Sequence, residues 1–171
     1  MTKDNSKISF KGKPLEVAGE SLQEGQKAPD FKLTAQDLTD LSGDSFKGKV
    51  LVISTVPSLD TPTCHAQTLR FNKEAAKFGD KVTVLSVSRD LPFAQNRWCE
   101  ANSVSNVEMA SDYKYQTFGE SFGVLVPSLG LLARAVFVIN QVGEIVYLEY
   151  VEELSSEPDY DGALSAIEKL L

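Results

Sequence analysis

Val50-Leu51-Val52-Ile53-Ser54-Thr55-Val56, followed by Pro57-Ser58-Leu59-Asp60-Thr61-Pro62-Thr63-Cys64, decides how this chain folds. The first seven residues are β-branched and almost continuously apolar, which predicts a central strand buried on both faces. Thr61 then offers a hydroxyl suited to a helix N-cap, and Pro62 falls at the first helical position, where its missing N–H costs nothing. The helix is expected to run through His65 to Phe78, with Phe71, Ala75 and Phe78 as its buried stripe. Gly79-Asp80 closes it. Counting from Thr61 places Cys64 in the first turn, where free backbone N–H groups and the helix dipole favour thiolate over thiol. The same position also suits a cysteine that is only a small buried hydrophobe.

Working outward, Val82 to Val87 reads as a second buried strand, parallel to the first because the intervening helix makes a crossover. Asp90 reads as the N-cap of a second helix with Pro92 in its first turn, running to about Ala101. Ala94, Trp98 and Ala101 form its apolar stripe, with Cys99 beside them. A short strand at 107–109 and a helical piece at 115–122 follow. Then come a hairpin of 135–139 and 145–151 across Gln141-Val142-Gly143, and a last helix, 160–171, with Leu164, Ile167 and Leu171 on one face. Upstream, 8–10 and 15–17 alternate around Gly12-Lys13-Pro14, the pattern of a small β-hairpin. A short strand is expected at 28–33 and a turn at 42–44. This order predicts an α/β chain with a thioredoxin-like fold: a central mixed β-sheet flanked by helices, with an N-terminal β-hairpin extension, in a single domain over 1–171.

The 171 residues are 42% hydrophobic and 24% charged, a balance that supports a full core without staples. A formal net charge of -7 and the lack of any basic run argue against a nucleic-acid partner. Met1 to Ile8 is polar, without the apolar region of a secretory signal. The longest apolar zone, Phe122 to Ile139, is broken by Pro127 and Arg134 and does not read as a membrane span. The expected location is cytoplasmic, where a structural disulfide is uncommon.

Cys64 and Cys99 are the chain's two cysteines, 35 positions apart. That spacing is no Cys-x-x-Cys motif. Two cysteines and one histidine fall short of a structural zinc site, and no cofactor is expected. One remaining option is sequential oxidation, in which a thiolate becomes a sulfenic acid and a second thiol condenses with it. The nucleophile then needs a nearby cation. Arg134 is the best candidate, because it interrupts the apolar run Leu129 to Val138, where a charge is costly unless paired. The competing reading is a strand-end arginine reaching out to water. His65 follows Cys64 directly, and adjacent helical residues do not face each other, so it is expected to face solvent rather than serve as a base. Arg89, Asp90 and Arg97 read as solvated charge and capping.

With those residues in place, the chain resembles the thiol peroxidase branch of the peroxiredoxins, the bacterial atypical two-cysteine class. The matching stretches are VPSLDTPTC (56–64), Phe71-Asn72, DLPFAQNRWC (90–99), SDY with FGESFGVL (111–125), and GLLARAVFVI (130–139). GxxAPDFxL at 25–33 and the closing EPDYDGAL fit as well. The resemblance implies that Cys64 is the peroxidatic cysteine and Cys99 the resolving one. It also implies that the Thr61 hydroxyl binds the peroxide and the sulfur, that Pro57 shields the pocket from water, and that Arg134 holds the thiolate. Substrates would be hydrogen peroxide and organic hydroperoxides, the product an intramolecular Cys64–Cys99 disulfide, the reductant thioredoxin and the assembly a homodimer. The chain departs from the family at Thr63 and His65, where valine and an acidic residue are commoner, and at Arg89, where methionine is usual. It also has a shorter loop before Gly130. These departures motivate a rival reading: a redox-sensing or partner-binding thioredoxin-fold module with low turnover. A third reading is a structural domain with inert thiols. Because a bridge needs Cα atoms within about 7 Å, the turns carrying the two cysteines are expected to unwind between the reduced and oxidised states.

Overall fold

Faces alternate along the central strands, and that alternation builds two core layers. In the computed structural model, which describes residues 4–171, Met1 to Lys3 of the polar opening run lie outside the described residues. Strand β5 (Val50–Thr55) is buried at all six positions. Leu51 and Ile53 face one layer, while Val50 and Val52 face the other. Each such aliphatic side chain contributes about 1.5–3 kcal/mol on burial, and a strand apolar on both faces can sit only at the centre of a sheet.

Strand β5 pairs parallel with β6 (Val82–Ser88) and antiparallel with β10 (Ala135–Ile139). The seven-stranded sheet has the order β11-β10-β5-β6-β7-β3-β4, with β11 (Ile145–Tyr150), β7 (Glu108–Ser111), β3 (Lys32–Ala35) and β4 (Asp40–Ser42) completing it. It is a mixed sheet with flanking helices, the thioredoxin-like arrangement expected. Helix α1 (Pro62–Phe78) crosses from β5 to β6, and Gly79 ends it at φ +60°, which favours glycine. Helices α2 (Pro92–Ala101) and α4 (Tyr160–Glu168) share its layer, through Trp98 and Cys99 and through Ala163 and Ile167. The other layer holds Phe118 and Phe122, at the start and just past the end of the short helix α3 (Phe118–Ser121), with Phe31 and Ile8 from the N-terminal segment. Among the described residues, no helix is long and apolar enough to cross a membrane.

Several boundaries differ from expectation. The opening hairpin pairs β1 (Ser9–Phe10) with β2 (Lys13–Pro14) around Lys11 and Gly12. Both turn residues have positive φ, the tight primed turn that hairpins favour. Lys13 and Pro14 therefore belong to a strand and not to the turn. Strand β3 starts only at Lys32, beyond Pro29, and β4 occupies part of the stretch expected to turn. A two-residue pair, β8 (Leu125–Val126) with β9 (Leu131–Leu132), stands before Arg134. Helix α2 is capped by Leu91 rather than Asp90, because the residue before Pro92 is held extended. Its buried positions are Pro92, Gln95, Trp98 and Cys99, and Ala101 is exposed. Leu171, expected on a buried face, is 52% exposed beyond the end of α4.

Candidate active site

The Cys64 side chain is wholly buried in the first turn of α1, and its sulfur accepts a hydrogen bond from Arg134 Nη2 at 3.3 Å. The residues are 70 positions apart in sequence. The register of the sheet joins them: Ala135 pairs with Thr55, so Arg134, just before β10, stands beside the end of β5 from which the loop to α1 departs. Arg134 is 1% exposed, which excludes the arginine reaching out to water. Its guanidinium is fixed by three further hydrogen bonds: Nε and Nη2 donate to Leu154 O at 3.2 and 2.8 Å, and Nη1 donates to Gln67 Oε1 at 2.8 Å. A buried donor cation fixed in this way acts on its neighbours more strongly than a water-exposed charge would.

Gln67, absent from the sequence reading, is wholly buried, and its Nε2 donates to Ser54 Oγ at 2.6 Å. It lies three residues after Cys64, hence on the same helical face. A polar residue three positions from a cysteine on an otherwise buried face is a signal the sequence did offer. Thr68 donates to Cys64 O at 2.9 Å, and Thr63 donates to Ser155 O at 2.9 Å, tying the turn to the segment after β11.

Pro57 is buried at the start of the loop, and Thr61 is exposed at its end. Thr61 holds the N-cap position, but its hydroxyl donates back to Ser58 O at 3.0 Å and makes no capping bond. The loop is instead fixed by Asp90, whose carboxylate accepts from Ser58 Oγ at 2.8 Å, Leu59 N at 2.9 Å and Ser88 Oγ at 2.8 Å. Asp90 is thus an anchor for the cysteine loop and not a helix cap. Arg89 is also more than solvated charge: it faces the fully buried Asp112 at 3.4 Å. Asp112 in turn accepts from Phe118 N and Gly119 N. Arg97 is exposed, as expected.

Cys99 lies in the same core layer as Cys64, 7% exposed, and both thiols are free. Burial pushes the Cys99 thiol up, toward its protonated form. The two cysteines therefore sit in different environments, one against a guanidinium and one among apolar neighbours. His65 is not simply a solvent-facing histidine. Its Nδ1 accepts from Trp98 Nε1 at 3.1 Å, so it bridges α1 and α2. An open cleft of about 310 Å³, lined by Leu59, Asp60, Thr61, Pro62, His65, Trp98 and Asn102, leads to this junction. A more enclosed cavity of about 280 Å³ lies at the far end of β5 and β10, beside Leu51 and Ile139. Neither cysteine lines this cavity, whereas Cys99 borders a separate open groove with Gln36, Asn96 and Val104.

The redoxin family model matches residues 23–164. A thiol peroxidase of Bacillus subtilis strain 168 is 48% identical over 166 residues, covering 97% of this chain and 99% of the relative. A thiol peroxidase of Halalkalibacterium halodurans is 48% identical over 164 residues, covering 96% and 98%. Among solved structures, a peroxiredoxin-like protein from Aquifex aeolicus superposes with a TM-score of 0.90 at 39% identity, covering 100% of this chain and 99% of that one.

Proposed function

Since the chain belongs to the redoxin family and is a thiol-dependent peroxidase of its thiol peroxidase branch, we propose that Cys64 is the peroxidatic cysteine and Cys99 the one that resolves it. The Arg134–Cys64 contact carries this reading. The thiolate attacks the terminal peroxide oxygen, and the O–O bond breaks. The departing alkoxide or hydroxide takes a proton to leave as alcohol or water, and Cys64 becomes a sulfenic acid. Arg134 offers its donor both to the sulfur and to the oxygen on which charge develops. In this reading Thr61, one turn before the sulfur, orients the peroxide once its hydroxyl turns from Ser58 O, and Pro57 keeps water from the loop. Cys99 then displaces the sulfenic oxygen as water and forms the disulfide. In the same scheme the turns that carry the two sulfurs, buried in the dithiol form, unwind for this step.

A dithiol reductant such as thioredoxin returns the bridge to two thiols. The reading includes a cytoplasmic homodimer, for which the exposed Leu91 and Phe93 provide apolar surface. Steady-state peroxide consumption with thioredoxin, thioredoxin reductase and NADPH tests the scheme. Cys64→Ser should abolish turnover. Cys99→Ser should consume about one equivalent and stall as sulfenic or over-oxidised sulfur. Full thioredoxin-dependent turnover in Cys99→Ser would exclude the resolving role. One stoichiometric oxidation without turnover in the native protein would favour the redox-sensing module instead.

A further inference from the structure

Trp98 Nε1 donates to His65 Nδ1 at 3.1 Å, and the two rings meet edge to face with centroids 5.3 Å apart. His65 follows Cys64 and Trp98 precedes Cys99, so this one contact joins the two short segments that carry the thiols. Neighbouring residues on an α-helix point about 100° apart. While both turns stay helical and residues 65 and 98 face each other, residues 64 and 99 are therefore directed elsewhere. With the rings in contact, both cysteines are free thiols buried in one core layer. Trp98 is 8% exposed and packs in the core layer of both cysteines, so it cannot follow α2 outward without breaking the contact.

We propose that the His65–Trp98 pair is a latch that holds the dithiol arrangement and sets the rate at which the bridge closes. The proposal rests on the roles assigned to Cys64 and Cys99 above. In the step it governs, the Cys99 thiol loses its proton and its sulfur attacks the Cys64 sulfenic sulfur. The S–O bond breaks, and the hydroxide leaves with that proton as water. One S–S bond forms, Cys99 is oxidised, and the sulfenic sulfur is reduced. His65 touches no reacting atom; it is a positioning residue.

The test is rapid-mixing oxidation with excess hydrogen peroxide. Trp98, the chain's single tryptophan, reports the motion by its fluorescence, and acid-quenched mass spectrometry counts bridges. His65→Phe keeps a ring but removes the acceptor. It should close the bridge about three- to tenfold faster, the range expected for losing one net hydrogen bond. It should also leave less over-oxidised Cys64 at high peroxide, with the earlier bimolecular phase unchanged. His65→Asn restores an acceptor near the Nδ1 position and should return closure toward the native rate. Trp98→Phe removes the donor from the other side and should accelerate closure as His65→Phe does. Closure at the native rate in both Phe variants overturns the latch, as does closure in His65→Asn as fast as in His65→Phe. A native protein that forms no Cys64–Cys99 bridge overturns the resolving role itself, and the latch with it.

Discussion

Arg134 makes four hydrogen bonds, of which only the one to Cys64 Sγ reaches the reacting atom. The other three determine where that one points. Leu154 O and Gln67 Oε1 hold the plane of the guanidinium, a task for which a lysine ammonium lacks the fixed fork. Gln67 is the adjustable part of this clamp, because Leu154 contributes only backbone. Gln67→Leu preserves much of the volume but leaves Arg134 Nη1 and Ser54 Oγ without these partners in a buried site. The expected loss of stability is about 1.5–3 kcal/mol, the range for a buried bond to a charged group. With the fork free to tilt, alkylation of Cys64 by iodoacetamide at neutral pH should slow by about tenfold. Urea titration and the alkylation rate measure the two effects, and an unchanged rate would show that Arg134 needs no help from Gln67. Arg134 itself was legible as a charge inside an apolar run. Gln67 carried a weaker signal, its spacing of three from Cys64, which shows a shared helical face but not the guanidinium partner that makes burial of the amide favourable.

The loop from β5 to α1 keeps its shape through one carboxylate on the neighbouring strand connection. Asp90 gathers two hydroxyls and the Leu59 N–H, and Ser111 Oγ donates to its backbone carbonyl at 2.6 Å. Asp90→Ala removes the acceptor and frees Pro57 to Thr61 to drift from the sulfur. We expect a stability loss of about 1.5–3 kcal/mol in urea, together with a slower bimolecular phase of peroxide attack. A variant with native stability and a native attack rate would show that the loop holds itself. Legibility at this scale followed length and punctuation. The β5–α1–β6 unit could be read almost to the residue, because a long β-branched run, a proline at the helix start and a glycine at its end all agree. β4, β8 and β9 are two or three residues long, too short to show a period, although each pairs with a strand nearby in sequence, as Leu33 with Leu41 and Leu125 with Leu132. Asp90 departs from the expected cap for a different reason: Pro92 fixes the start of α2 one residue later, and two of the carboxylate's three partners, Ser58 and Leu59, lie 32 and 31 positions upstream.

The N-terminal segment holds the whole molecule closed around the sheet and supports the active site from behind. Ser9 exchanges backbone hydrogen bonds with Glu152 and Leu154, at 2.7 and 2.8 Å, and so braces the carbonyl to which Arg134 is tied. Further along, Tyr150 Oη accepts from Leu22 N and donates to Phe122 O, both at 2.9 Å, joining the N-terminal segment, the end of α3 and β11. Tyr150 is wholly buried, and that burial pushes its phenol up from 10.0 to about 12. The neutral phenol is the form the fold favours. Above about pH 10 the unfolded chain gives up this proton while the folded chain keeps it, so the folded state binds more protons and stability falls as pH rises. The contribution is complete below pH 10 and is lost progressively toward pH 12, on the order of 3 kcal/mol across the window. Tyr147 and Tyr160, also raised mainly by burial, add slope of the same sign. Tyr150→Phe should be less stable by about 1–3 kcal/mol near neutrality, because Leu22 N–H and Phe122 O lose this partner. Its stability should nevertheless decline less steeply between pH 10 and 12 than that of the native protein. Urea unfolding of both proteins at matched pH values separates the two effects. Parallel curves through that window would show that the buried phenol titrates no differently in the folded and unfolded chains.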